Sequence, residues 1–200
     1  DLRLTQLPEP FDAYKDIKFL SLSHNQISKI GSEILNLKNL ESINLSNNKI
    51  SSFEEESIER LSLLQTLVIN KNPIVSLYPT VISISSLVSL KTSNCRLEEL
   101  KFNPDSLQNL KEFEAKSNSI SIIHPIPSGS LSSLTSLILH DNRIKDFPPS
   151  FCEISTLIHL DLSRNAINLL PDSISRLYQL ETLDLGTNQI NQLNPSLGLV

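Results

Sequence analysis

Asparagine recurs down this chain at a nearly constant interval: Asn25, Asn48, Asn72, Asn118, Asn142, Asn165 and Asn188, with Cys95 in the one gap, at steps of 23 or 24 residues. The same apolar frame surrounds each of them, at minus eight, minus five, minus three and plus two. In the second copy it is Leu40, Ile43, Leu45 and Ile50; in the seventh it is Leu157, Leu160, Leu162 and Ile167. Eight copies in register, relaxed only at Thr92 and Ala115, exclude chance. A unit this short cannot bury its own apolar face, so the copies must stack and share one continuous core. The period-two pair at minus five and minus three marks a short strand with one buried face, and the polar residue after it marks the bend out of the strand. A carboxamide there can bond backbone groups that the bend leaves unpaired, and stacked copies then form a ladder. Cys95 is a weaker rung.

These residues spell L-x-x-L-x-L-x-x-N/C-x-L, and over nearly the whole chain the pattern resembles the leucine-rich repeat. The return segments, such as Ile167-Asn168-Leu169-Leu170-Pro171-Asp172-Ser173-Ile174-Ser175-Arg176-Leu177 and Phe147-Pro148-Pro149-Ser150-Phe151-Cys152-Glu153-Ile154, anchor a turn of helix or an extended segment on the outer side. They resemble the L-P-x-x-I-x-x-L form found in cytosolic scaffolds of Ras signalling and in Roco-type kinases. They do not resemble the longer repeat of ribonuclease inhibitor or the Gly-x-Ile-Pro repeat of plant receptors. The resemblance implies an α/β solenoid of about eight repeats, a curved horseshoe with a parallel concave sheet. Residues 1–200 read as a single domain. With no methionine in the chain, they are expected to be an excerpt of a longer protein, cut through repeats at both ends with the polar caps missing. Leu4 and Leu7 are read as counterparts of Ile27 and Ile30, and 194–200 as the start of another return segment.

A net charge of −5 and a pI near 5.4 supply no general positive field, which argues against nucleic acid as a partner. No apolar run approaches the ~18 residues of a membrane span. Two cysteines make no disulfide framework, and Cys95 and Cys152 lie more than two repeats apart, so both are expected as reduced thiols, which points to the cytoplasm.

Function then rests on the side chains that alternate away from the core. The first column is Phe19, Ser42, Thr66, Ser89, Glu112, Ser136, His159, Thr182, and the second Ser21, Asn44, Val68, Lys91, Glu114, Ile138, Asp161, Asp184. Beyond them run Ser23, Ser46, Asn70, Ser93, Lys116, His140, Ser163, Gly186 and then His24, Asn47, Lys71, Asn94, Ser117, Asp141, Arg164, Thr187. Val68 and Ile138 are apolar where water is expected. Lys71, Lys91 and Lys116 read as a basic strip beside Glu112 and Glu114, and Asp161 with Asp184 as an acidic end. The candidate contacts are Val68, Lys91, Glu114, Lys116, Ile138, His140, His159, Asp161 and Arg164. A mixed surface of this kind suits a protein partner of complementary charge.

Catalysis finds little footing. His140 and His159 lie in adjacent repeats but four positions apart along the strand, roughly 13 Å before any lateral step. That is too far for a shared metal or a proton relay. No activated nucleophile accompanies His159 and Asp161. The triplet Asn44-Leu45-Ser46 matches a glycosylation acceptor but falls within a strand and reads as structural background. Ile122–Ser130, with two prolines and a glycine, is expected to be irregular, and Phe53–Leu61 a short helix with carboxylates at its start. Thr92 and Ala115 thin the core, which makes the fourth and fifth repeats the expected soft part of the stack.

The chain is thus expected to be non-enzymatic, without metal or cofactor. It reads as a protein-interaction module of an intracellular signalling protein, with a small GTPase or another signalling protein as partner; the sequence leaves the oligomeric state open, with a monomer favoured. The alternative is an extracellular or surface domain that recognises a ligand or host protein.

Overall fold

The structure, a computed structural model, describes residues 3–7, 14–54, 57–127 and 129–192. Each repeat contributes one three-residue strand: β1 (Phe19–Ser21), β2 (Ser42–Asn44), β3 (Thr66–Val68), β4 (Ser89–Lys91), β5 (Glu112–Glu114), β6 (Ser136–Ile138), β7 (His159–Asp161) and β8 (Thr182–Asp184). They pair in chain order as one eight-stranded parallel sheet. The register follows the repeat without a slip, so the central residues Leu20, Ile43, Leu67, Leu90, Phe113, Leu137, Leu160 and Leu183 form one row. A shift by one residue would turn that whole row to water, and this is why the pattern pins the pairing. The row is fully buried from Ile43 to Leu160 and half-buried at Leu20 and Leu183, which among the described residues have a neighbouring strand on one side only.

Past each strand, the ladder residue closes the bend. The Asn48 carboxamide donates to the carbonyls of Leu22 and Leu45, both at 2.9 Å, and its oxygen accepts the Ile27 amide at 3.0 Å. Asn72, Asn118, Asn142, Asn165 and Asn188 repeat this two-way bond, each tying its own turn to the preceding coil. At the N-terminal end, Asn25 accepts the Leu4 amide at 3.0 Å, so Leu4 stands where Ile27 stands one repeat later. Cys95 departs from the pattern. Its thiol donates to the Ile69 carbonyl at 3.4 Å and to that of Ser93 at 3.7 Å, but it has no oxygen to accept the amide of buried Ile74, which makes no such bond.

The outer layer is built from 3-10 turns at Ser32–Asn36, Ile58–Arg60, Val81–Ser83, Pro149–Glu153 and Asp172–Arg176. The described residues contain no α-helix, so the helical half of the expected α/β class is carried by 3-10 structure alone. The reason lies in the apolar spacing. Ile34 and Leu37, Ile58 and Leu61, Val81 and Ile84, Phe151 and Ile154, and Ile174 and Leu177 are each three apart, and all are buried. At three residues per turn, i and i+3 eclipse, so one short 3-10 turn drops both onto the core.

Two segments differ in detail from the sequence reading. The expected helix over Phe53–Leu61 is only the turn Ile58–Arg60, with Phe53 paired in a small strand, Ser52–Phe53, against Lys29–Ile30; Glu55 and Glu56 lie outside the described residues. Ile122–Ile123 begins the irregular stretch as a strand beside Glu99–Leu100. From there the described residues up to Ser130 have no regular structure, and Ser130 Oγ reaches back to the Asn103 carbonyl at 2.7 Å. The segments expected at 1–2 and 194–200 also lie outside the described residues.

Candidate protein-binding face

The two outward residues of each strand meet their counterparts directly across the sheet, and this converts two columns of the sequence into two rows of neighbours. On β4 and β5 the rows close into a network. Lys91 Nζ lies 3.1 Å from Glu112 and 3.9 Å from Glu114, and Lys116 Nζ lies 2.8 Å from Glu114. Ser89 Oγ donates to Glu112 at 2.9 Å and Ser93 Oγ to Glu114 at 3.0 Å. The Glu114 side chain is only 13% exposed. Burial pushes its carboxyl up, but the hydrogen bonds from Lys116 and Ser93, with the charges of Lys116 and Lys91, together outweigh that and hold it below the usual carboxylate range. Two cations face two anions, so the cluster carries no net charge to offer.

This corrects the expected basic strip. Lys91 and Lys116 are already paired, and Lys71 is not among them. The acidic end does exist, because Asp161 and Asp184 face each other in register. One oxygen of each is engaged locally: Asp161 Oδ1 accepts the Ser163 amide at 3.0 Å and its hydroxyl at 2.7 Å, and Asp184 Oδ1 accepts the Gly186 amide at 2.8 Å. Asn44 does the same for the Ser46 amide at 3.0 Å. These are Asx-type bonds that hold the chain as it leaves the strand. His159 Nδ1 lies 2.8 Å from Thr182 Oγ1. Val68 on β3 and Ile138 on β6 flank the Lys/Glu network on the two sides, half-buried, and His140 is half-buried two residues beyond Ile138.

Two members of the third column, and all of the fourth, do not belong to the open face in the way the sequence suggests. Ser46 and Ser93 are buried. The fourth column lies past the strand ends, and every member is left-handed, with φ between 53° and 59° from His24 to Thr187. This conformation costs a residue other than glycine about 1–2 kcal/mol, least for Asn and Asp. It lifts the side chain onto the lip of the sheet, so Arg164, expected among the concave contacts, is an exposed residue of that ridge. Alternation alone could not signal this, because the period of two stops where the turn begins.

A second polar ladder, on the opposite edge, was also missed. Ser86 Oγ donates to the Leu64 carbonyl at 2.7 Å, Asn109 Nδ2 to the Ser85 carbonyl at 3.0 Å, and Thr156 Oγ1 to the Leu134 carbonyl at 2.7 Å. These residues sit nine positions before a ladder residue, and that recurrence was the available signal. Among the described residues, no group of three or more His, Cys, Asp or Glu could hold a metal ion.

The family model of the leucine rich repeat matches residues 15–74 and 132–190, more than half of the chain. The chain belongs to the leucine-rich repeat family. Among curated relatives of this leucine-rich repeat chain, human lumican is 30% identical over 154 residues, a match covering 72% of the chain and 44% of lumican. A flightless-1 homolog of Caenorhabditis elegans is 30% identical over 173 residues, covering 72% of the chain and 14% of the relative. The chain thus spans less than half the length of either. In its complex with ssRNA13, TLR13 superposes with a TM-score of 0.78 at 29% identity, covering 92% of the chain and 27% of TLR13. The relatives mix extracellular proteins, such as lumican, with intracellular ones, such as flightless-1, so kinship alone assigns no compartment. No helix of the described residues is long and apolar enough to cross a membrane.

Proposed function

We propose that this leucine-rich repeat array is a non-catalytic protein-interaction module that receives a protein partner on its concave sheet. The observation that carries the reading is the pair Val68 and Ile138, apolar side chains held on either side of the Lys91–Glu112–Glu114–Lys116 network on a face whose other outward strand residues are polar except Phe19 at the end strand. The network has no surplus charge, so it selects by geometry: a partner must match its pattern of donors and acceptors, while the two apolar residues supply area that water leaves readily. Stacked coils are already ordered, so little entropy is lost on docking. His140, His159 and Asp161 extend the face toward its acidic end.

The setting we favour is the cytoplasm, within a larger signalling protein, with a small GTPase or another signalling protein as the partner. Support comes from Cys95 and Cys152, both free thiols, and from the form of the return segments. A second reading, an extracellular recognition domain, is favoured by the match to lumican.

The test is affinity capture with the chain beside a variant carrying Val68→Asp and Ile138→Asp. Partners captured from cytosol and lost with the variant are the expected result. Unchanged capture would overturn the concave site, and capture restricted to secreted or surface fractions would move the module outside the cell. Gel filtration over a range of concentrations is expected to give one monomer peak throughout.

A further inference from the structure

The charges of the Lys/Glu network on the concave face cancel one another, whereas those of the neighbouring ridge do not. The ridge is formed by the residues immediately before and after each ladder position. It runs His24, Asn47, Lys71, Asn94, Ser117, Asp141, Arg164, Thr187 and, beside these, Gln26, Lys49, Pro73, Arg96, Ser119, Arg143, Ala166, Gln189. These two columns hold five cations, Lys49, Lys71, Arg96, Arg143 and Arg164, and one anion, Asp141, in a chain whose net charge is −5. All six are exposed. Their backbones are fixed rung by rung: the Lys71 amide donates to the Ser93 carbonyl at 2.9 Å, Arg96 to Ile74 at 3.0 Å, Arg143 to Ile120 at 2.9 Å and Arg164 to Gly186 at 2.7 Å. The cations therefore lie in two adjacent files along one edge, at repeats two, three, four, six and seven, with successive repeats ~4.8 Å apart. Among the described residues none of the five has a carboxylate partner; Lys49 meets only the neutral Gln26 Oε1, at 3.1 Å, and Asp141 accepts the Ser117 hydroxyl at 2.8 Å. Midway along this edge, Lys71, Pro73, Asn94, Cys95 and Arg96 border a shallow depression of ≈ 360 Å³ between two of the cations.

We infer that this ridge is a second docking surface, one that takes an extended acidic segment of a protein partner. Five unpaired cations along one edge of an acidic protein attract a negative strand locally and repel it elsewhere, which orients it along the ridge. Among polyanions, the surface favours polypeptide over single-stranded nucleic acid. Neither column holds a Phe, Tyr or Trp on which bases could stack, and the whole-chain field is negative. The surface is distinct from the concave site just proposed, so each can fail without the other.

Fluorescence anisotropy of the whole chain with a labelled twelve-residue Glu-Ser repeat peptide tests the assignment. A ridge variant, Lys71→Glu, Arg96→Glu and Arg143→Glu, is compared with Lys15→Glu, Lys38→Glu and Lys111→Glu, which changes the net charge equally from exposed positions that precede the strands. Circular dichroism checks that both keep the fold. The ridge variant is expected to bind about tenfold or more weakly, the other to stay within about twofold of the parent, with the difference erased by high salt. Equal losses in the two variants would reduce the effect to net charge and overturn the site. So would binding of a twelve-residue oligouridine, lost in the ridge variant, with no binding of the peptide. Val68→Asp with Ile138→Asp is expected to leave peptide affinity unchanged; a matching loss there would move the acidic segment onto the concave face.

Discussion

A single carboxamide at each strand exit has both a donor and an acceptor to place, and the neighbouring coils need both. Cysteine supplies a weak donor and no comparable acceptor, so the Cys95 rung holds the Ile69 carbonyl at 3.4 Å and leaves the buried Ile74 amide without the bond its counterparts make. A buried unpaired amide costs about 1–3 kcal/mol. Cys95→Asn is therefore expected to stabilise the chain by about 1–2 kcal/mol. It should raise the urea midpoint without changing the slope; a lower midpoint would show that the rung cannot seat a carboxamide. The same scale explains the ridge. A left-handed residue ends the alternation of faces, and Lys71 and Arg164 leave the sheet there despite standing in line with it in the sequence.

At the level of the element, the outer layer depends on how many residues the return segment can spare. Five 3-10 turns use apolar pairs three apart, while repeats four and five form no such turn among the described residues. There the gap is filled by aromatic rings. Phe151, fully buried on the Pro149–Glu153 turn, meets Phe147 at 5.3 Å between ring centroids and Phe102, from the fourth repeat, edge-on at 6.2 Å. Truncation would leave a cavity that this irregular region has no regular element to close. Phe151→Ala is expected to cost about 3–5 kcal/mol, read by urea unfolding followed by circular dichroism. A loss below about 1 kcal/mol would mean that the loop collapses into the space.

Across the whole molecule, each coil packs mainly on its neighbours, the Phe102–Phe151 contact across the fifth repeat apart, so stability is shared locally and the weakest interface sets where the stack opens. Several features meet at repeats four and five: Thr92 and Ala115 in place of large apolar residues, the incomplete rung at Cys95, and outer segments without 3-10 turns. Native-state hydrogen exchange is expected to show the amides of β4 and β5 exchanging faster than those of β2, β3 and β6. If the slowest amides of the sheet lie in β4 and β5, the soft centre does not exist. The Lys/Glu network spans these same two strands, so a partner bound across it would brace the interface that opens most readily.

The sequence by itself determined the stack, the register of the sheet, the core row and the ladder, because each follows from identity at a fixed period and every coil repeats the same local problem. It also placed Val68, Lys91, Glu114, Ile138, His159 and Asp161 in the strands of one face. Tertiary structure alone decided which charges remain available. Whether Lys91 is free or paired depends on Glu112 and Glu114, which stand 21 and 23 residues away and come within reach only once the sheet is built. It also decided that Arg164 and Lys71 belong to the lip, because a backbone angle set by the turn outranks position in a column. Helical spacing fell to the same cause, since the short return path admits three residues per turn where an isolated segment would have preferred 3.6.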